Sequence, residues 1–360
     1  MFTISRRNLL KSAASVAALG AGVSLMRSAG AYAAEAVTVV EWGGSYIKAM
    51  QEMVAKQPDI RVNWILHTSG SAAILPKIKA MWPRPGIDVL TGWDVSWQVV
   101  AREGWAEPVT LEKVPNLVDV PPQLLVKDDS GNIVNIPRTV TALSWFYRAD
   151  KTPFEVSTLD DLLDPRLKGK ICFPIPTLNQ NVQIVALALH KGGDEKNMEP
   201  GWDFMKKLAQ SGNIGRVANS DTDTVNSISS GETAITFQSN SSYSELSKNF
   251  KMKLLNKMDP KSGFRTFYLQ EGWSVLKGGN TQAAFKLVNF LLSPRINGEY
   301  NEIVGAIPAN IKAPVPDRAK IFVLNNEEMS KHAYVPDWSY MSQQADTWMK
   351  RWEQEIQPLL

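Results

Sequence analysis

Val37-Thr38-Val39-Val40-Glu41-Trp42-Gly43-Gly44-Ser45-Tyr46 begins as a β-branched run, breaks at a glycine pair and passes into Ile47, Met50, Met53 and Val54 at helical spacing, which Pro58 stops. The pattern is strand, polar loop, amphipathic helix, and it returns twice. Ile60, Val62, Trp64 and Leu66 alternate as a second strand, and His67-Thr68-Ser69-Gly70-Ser71 leads to a helix with Ile74, Ile78 and Met81 on one face, ended by Pro83 and Pro85. Ile87–Thr91 predicts a third strand, after which Gly92-Trp93-Asp94 opens a helix ending near Gly104. Three β-loop-α units in succession predict a parallel sheet covered by helices, an α/β fold.

In such a sheet the ligand sits beyond the carboxyl ends of the strands, where polar loops meet helix amino termini. That rim holds Trp42, Ser45, Tyr46, the loop Thr68–Ser71, Trp93 and Asp94. None of these loops has the GxGxxG or GxxxxGK[ST] spacing that cradles a nucleotide phosphate. Tryptophan faces suit apolar or cationic surface, so the rim fits a small organic molecule.

A second set of units begins after Arg148. Leu159–Asp164 is a short helix closed by Pro165. Lys170–Phe173 is a strand leaving through Pro174 and Pro176, and Thr177-Leu178-Asn179-Gln180-Asn181 forms its neutral, hydrogen-bonding loop before a helix over 182–191. Thr222–Ser230 is a helix ended by Gly231, Thr233–Phe237 a strand, and Gln238-Ser239-Asn240-Ser241 a second polar rim. Gln270-Glu271-Gly272 predicts a turn ahead of a strand over 273–276 and a helix over 281–292.

Composition narrows the function. The 360 residues are 44% hydrophobic and 21% charged, enough to build two lobes with cores. The formal charge of +3 is local: Arg6, Arg7, Lys11 and Arg27 lie in the first 33 residues without an acid, leaving 35 basic against 36 acidic residues in the rest. A chain this near neutrality has no electrostatic footprint for nucleic acid or an anionic membrane. Arg6-Arg7, a weakly apolar Ala-rich stretch to Met26 and Ala31-Tyr32-Ala33 are similar to a twin-arginine export signal, so residues 1–33 are expected to be a signal peptide and the mature protein periplasmic. Cys172 is the only cysteine, which excludes intrachain disulfides and cysteine-based metal sites. His67, His190 and His332 have no metal-ligand spacing, so neither a metal nor a cofactor is expected.

Several motifs in order resemble one family. Val40–Tyr46, Gly86-Ile87-Asp88-Val89, Asp164-Pro165-Arg166-Leu167-Lys168-Gly169-Lys170-Ile171, Asn289-Phe290-Leu291-Leu292-Ser293-Pro294 and Gly305-Ala306-Ile307-Pro308-Ala309-Asn310 look like the type 2 periplasmic solute-binding proteins of ABC importers, in the spermidine/putrescine branch. The resemblance implies two α/β lobes, 34–145 with 271–307 and 146–270 with 308–360, joined by crossovers near 143–147, 266–271 and 305–310 and closing on ligand by a hinge. It also implies a monomer that hands its solute to an inner-membrane ABC permease.

Carried over position by position, the resemblance matches Trp42 and Tyr46 to an aromatic pair that packs on a polyamine, and Glu271 to an acid that holds an ammonium group. Further carboxylates are missing. Thr177, Asn179 and Gln180 stand where polyamine binders supply acids, and Ile136-Pro137-Arg138 adds a guanidinium. An arginine suits a carboxylate or phosphate and repels a polycation. The expected ligand is therefore a small charged solute bearing a carboxylate, an amine or both, read by Arg138 and Glu271 with Gln238 and Asn240 on the second rim. A polyamine is the alternative. Iron is not expected without adjacent tyrosines. An exported enzyme is the competing class, and it lacks a metal spacing, a G-x-S-x-G elbow and a base for Ser69 or Ser71.

Overall fold

The computed structural model describes residues 35–67 and 70–360. The expected signal peptide and the Thr68-Ser69 part of the first rim lie outside them. The first half contains β1 (Glu35–Glu41), α1 (Ser45–Val54), β2 (Ile60–Leu66), α2 (Leu75–Met81), β3 (Val89–Trp93) and α3 (Asp94–Arg102). β1 pairs in parallel with both β2 and β3, as the repeated units require. Val37 and Val39 enter one apolar cluster with Met50 and Met53, while Val40 enters another with Ile78 and Val100. The strand is thus covered on both faces, which is why it reads as a continuous apolar run.

β4 (Ile136–Arg148) leads into the second half, made of β5 (Ile171–Pro174), α4 (Val182–His190), α5 (Glu199–Gln210), β6 (Ile214–Ala218), α6 (Asp221–Ser230), β7 (Ile235–Ser239), α7 (Asn240–Leu246) and the short β8 (Met252–Leu254). Here β5 lies parallel to β6 and β7. The chain then runs through β9 (Thr266–Val275), α8 (Thr281–Leu292), α9 (Pro294–Val304), β10 (Ile307–Pro308), α10 (Asn326–His332), β11 (Ala333–Tyr334) and α11 (Trp338–Arg351). The main sheet order is β2-β1-β3-β9-β4-β7-β5-β6. Two parallel halves therefore meet at a central antiparallel pair, β9 and β4. β4 pairs with β9 up to Leu143 and with β7 from Leu143 onward, so one strand serves both halves. β10 returns to pair with β4 at Thr139 and Val140. The carboxyl-terminal segment touches both halves: Arg102 of α3 donates to Ser342 of α11, while Trp352 stacks on Phe173 of β5.

One expected feature is corrected. Gln270-Glu271-Gly272 is the interior of β9, not a turn. Gly272 is needed because a Cβ there would stand 2.2 Å from the Ile136 carbonyl oxygen of β4. It marks a close approach of two backbones, which is the other meaning of glycine within a strand pattern. The third strand also begins two residues later than its apolar run suggests.

Candidate functional site

That close approach accompanies a β-bulge. Pro137 faces Gly272 and Thr139 faces Glu271, leaving Arg138 as the extra residue on β4. The Arg138 carbonyl, displaced from the ladder, accepts instead from the Ala309 amide and from the side-chain amides of Asn297 and Asn301. The side chain runs into the protein and is fully buried. Its Nη1 and Nη2 donate to the Glu41 carboxylate at 2.6 and 3.0 Å, and Nε donates to Glu271 Oε1 at 2.7 Å, an oxygen also 2.6 Å from Nη2. Trp42, Trp273 and Tyr300 surround the guanidinium with ring centroids 4.7–5.6 Å away. Burial alone would lower the Arg138 pKa, but Glu41, Tyr300 and Glu271 outweigh it and hold it well above its ordinary value.

The two carboxyl groups share this one guanidinium, and their remaining valences differ. Glu41 also accepts from the Trp42 amide and from Thr91 Oγ1. Glu271 Oε1 also accepts from the Tyr300 hydroxyl, but Oε2 is buried with no partner. Burial raises the Glu271 pKa against the opposing pull of Arg138. An acceptor left bare in a dry interior costs about 1–3 kcal/mol, more for a charged group, unless something else fills it.

Around Glu271 the two halves close on one another. The loop after β1 meets the start of α6, where a Cβ on Gly44 would stand 2.9 Å from Thr222 Oγ1. The loop after β5 reaches across to α3, and Gln180 Oε1 accepts from the Val95 amide at 2.7 Å. Gln180 and Asn181 both take the left-handed backbone conformation, with φ of 52° and 67°. Two consecutive non-glycine residues in that region store strain, a feature concentrated at binding sites. Between the halves lies a cavity of about 350 Å3, lined by Ser45, Tyr46, Lys48, Asp221, Ser241, Glu245, Lys248 and Arg318 among others. Beyond the Gly44–Thr222 contact a smaller one of about 260 Å3 is lined by Trp42, His67, Leu178 and Asp221.

Buried polar atoms without partners gather here. Tyr46 Oη, Ser241 Oγ and Asp221 Oδ1 are bare on the larger cavity; also bare are Asn179 Oδ1 and Gln180 Nε2 in the loop after β5, Trp93 Nε1 at the end of β3 and Gln238 Nε2 near the end of β7. Burial, then the charges of Glu271 and Glu245, push Asp221 up to about 7. Burial, then Glu271 and Asp221, push the Tyr46 hydroxyl well above its ordinary range. Asp94 is also pushed up to about 7, chiefly by burial and against the Gln270 amide that it accepts at 2.8 Å. His67 donates from Nε2 to the Thr91 carbonyl, and burial lowers its pKa to about 4, so it is neutral at pH 7. The arrangement can bind and desolvate a small molecule. Among the described residues no group of three or more His, Cys, Asp or Glu side chains is placed to hold a metal ion.

The residues singled out from the sequence divide into three sets. Ser45 and Tyr46 line the larger cavity and Trp42 the smaller, with Trp42 packed on Tyr46, His67 and Trp93 at centroid distances of 5.1–5.8 Å, while Trp93, Asn179, Gln238 and Glu271 are buried and belong to neither lining. Asp94 and Thr177 lie where the halves touch; the Thr177 carbonyl would be 2.7 Å from a Cβ on Gly70. Arg138 and Asn240 form the third set, whose polar atoms already have protein partners: Arg138 pairs with Glu41 and Glu271, and the Asn240 amide accepts from the Ala142 N–H and donates to the Gly305 carbonyl. Glu41, Tyr300, Trp273, Asp221 and Arg318 were missed. Asp221 follows Ser220 as a helix start, and helix starts mark cleft rims in this fold; that signal was available.

The match to known proteins agrees with this geometry. The family model for bacterial extracellular solute-binding proteins matches residues 46–323. The chain belongs to that family. No curated protein sequence matches it significantly. Solved structures similar to it include the periplasmic binding protein AfuA from Actinobacillus pleuropneumoniae with fructose-6-phosphate bound, at 21% identity and a TM-score of 0.70 over 89% of this chain and 98% of that one. AgtB from A. tumefaciens R10, in complex with agropinic acid, is similar at 18% identity and TM-score 0.69, again over 89% and 98%. The spermidine/putrescine ABC transporter substrate-binding protein PotD from Streptococcus pneumoniae is similar at 17% identity and TM-score 0.59, over 89% and 100%. The fold of this solute-binding protein is thus the two-lobed periplasmic one, with the cleft between lobes. Among the described residues no helix is long and apolar enough to cross a membrane.

Proposed function

We propose that the protein is the periplasmic solute-capturing component of an ABC importer, and that its solute carries an ammonium group. The observation that carries this is Glu271 Oε2, an acid oxygen buried without a partner beside Tyr46 and Asp221. With Arg138 already shared by two carboxyl groups, the inner cleft has an excess of negative charge and bare acceptors, which an ammonium's three donors satisfy. Aromatic faces at Trp42 and Tyr46 favour a cation as well. An anionic solute would meet Glu271 with no free arginine beside it. Lobes at 34–145 with 271–307 and at 146–270 with 308–360 would hinge about β4 and β9, and the closed form would dock on the permease as a monomer.

The protein binds without turnover in this reading. Its one thiol, Cys172, is buried, and burial raises its pKa to about 12, far from a reactive value. Calorimetry with wild type and Glu271→Gln against alkylammonium and carboxylate solutes tests the reading. A loss of about 2–5 kcal/mol of ammonium binding in the variant is expected, the usual effect of truncating one partner of a buried charge pair. Undiminished ammonium binding by Glu271→Gln, or a strict preference for carboxylates, refutes it. A polyamine is the second reading, favoured by Asp221 standing close enough to Glu271 for their charges to interact.

A further inference from the structure

The larger cavity is not uniform in charge. Its deep wall carries the bare oxygens of Tyr46, Ser241 and Asp221, adjoining Glu271. The rest of its lining includes Lys48, Lys248 and Arg318, and none of these three has an ion-pair partner within 4 Å among the described residues. Arg318 is half-buried, and its Nε is fully shielded from water while donating no hydrogen bond. It is held over Gly305, where a Cβ would come within 3.0 Å of Nε, so the missing side chain at that helix end makes room for the guanidinium. A shielded guanidinium N–H without an acceptor is a vacancy for an anion, just as Glu271 Oε2 is a vacancy for a cation.

Resting on the ammonium reading above, we propose that the solute is zwitterionic: its ammonium lies at Glu271 and Asp221, and a carboxylate or other single anionic group at its far end lies at Arg318, with Lys248 and Lys48 adding to the field. A diamine does not fit this polarity. Its second ammonium would enter among three unpaired cations, and desolvation between closed lobes strengthens that repulsion. A solute with opposite charges at its two ends satisfies both vacancies and leaves the closed cleft with each buried charge paired.

The test uses the mature full-length chain and three probe sets of stepped length in calorimetry: 4-aminobutyrate to 6-aminohexanoate, the diamines putrescine and cadaverine, and butylamine with butyrate. The amino acids should bind at least about tenfold more tightly than diamines of similar length. Arg318→Met should weaken the amino acids about thirtyfold or more, to the level of butylamine, while leaving diamines unchanged or tighter. Lys248→Glu, on an exposed side chain, supplies a second variant should Arg318→Met melt early; it should weaken the amino acids severalfold and strengthen the diamines. Diamines binding wild type as tightly as the amino acids would overturn the zwitterion proposal and leave the ammonium reading standing. Binding of butyrate without butylamine, or of no probe at all, would overturn both.

Discussion

Replacing Arg138 by methionine keeps most of the side-chain volume but removes the charge that two buried carboxyl groups share. Glu41 and Glu271 are both fully buried, and Arg138 holds them through four contacts of 2.6–3.0 Å. Breaking one buried pair by deleting a partner costs about 3–5 kcal/mol. Here two acids are stranded together, so the loss at pH 7.5 should reach at least about 4 kcal/mol, a large part of the roughly 5–15 kcal/mol that holds a typical domain folded. The pH dependence has a definite sign. Stranded acids have folded pKa values above their unfolded ones, so the folded variant binds more protons and its stability falls as pH rises from about 5 to 8. The deficit against wild type should therefore shrink towards pH 5. Glu271→Gln is the internal control: Arg138 keeps the two-pronged Glu41 carboxylate, and the cost should stay below about 2 kcal/mol. Urea titrations followed by the fluorescence of the twelve tryptophans give the midpoints and slopes. An Arg138→Met protein within 1 kcal/mol of wild type at pH 7.5, or one whose deficit grows in acid, would refute the account of the triad and return Arg138 to the ligand.

Asp221, with its pKa near 7, should make ammonium binding pH-dependent: for a solute protonated throughout, affinity should fall about tenfold from pH 8 to pH 6, and Asp221→Asn should flatten the calorimetric profile. Asp94 is raised from 3.8 to about 7 by burial, so it holds a proton in the fold that the unfolded chain has lost, and its contribution to stability declines from pH 4 to 7 and is constant above; Asp94→Asn should gain up to about 4 kcal/mol at pH 8 and nothing near pH 3, read by denaturant melts. Gly272→Ala places a methyl 2.2 Å from a backbone oxygen at the bulge and should cost about 3 kcal/mol or more, with ammonium binding lost because Glu271 moves with it; equal melting of variant and parent would contradict the close approach. Changing Arg6 and Arg7 together to lysine should leave a full-length cytoplasmic product, which amino-terminal sequencing of cell fractions detects.

The sequence by itself determined the repeated β-loop-α order, because apolar periodicity over ten residues is set by the local geometry of strand and helix. It led to the expectation that Trp42, Tyr46, Trp93 and Gln238 lie on rims, because residues just past a strand's carboxyl end lie at that edge of the sheet; in the structure Trp93 is the last residue of β3 and Gln238 the last but one of β7. It also supplied the five ordered motifs that resemble the family. What only the tertiary structure decided is which charges are already paired. Arg138 looked like an anion reader because its partners are 97 residues earlier and 133 later, and no local pattern joins Glu41, Arg138 and Glu271. They meet because β1 neighbours β3, β3 neighbours β9 and β9 neighbours β4, an order set by how all the strands pack at once. Arg138 points inward through a bulge opposite Gly272, a glycine whose neighbours suggested a turn. A charge can be counted in sequence, but whether it is free or already spent depends on which distant backbone lies beside it.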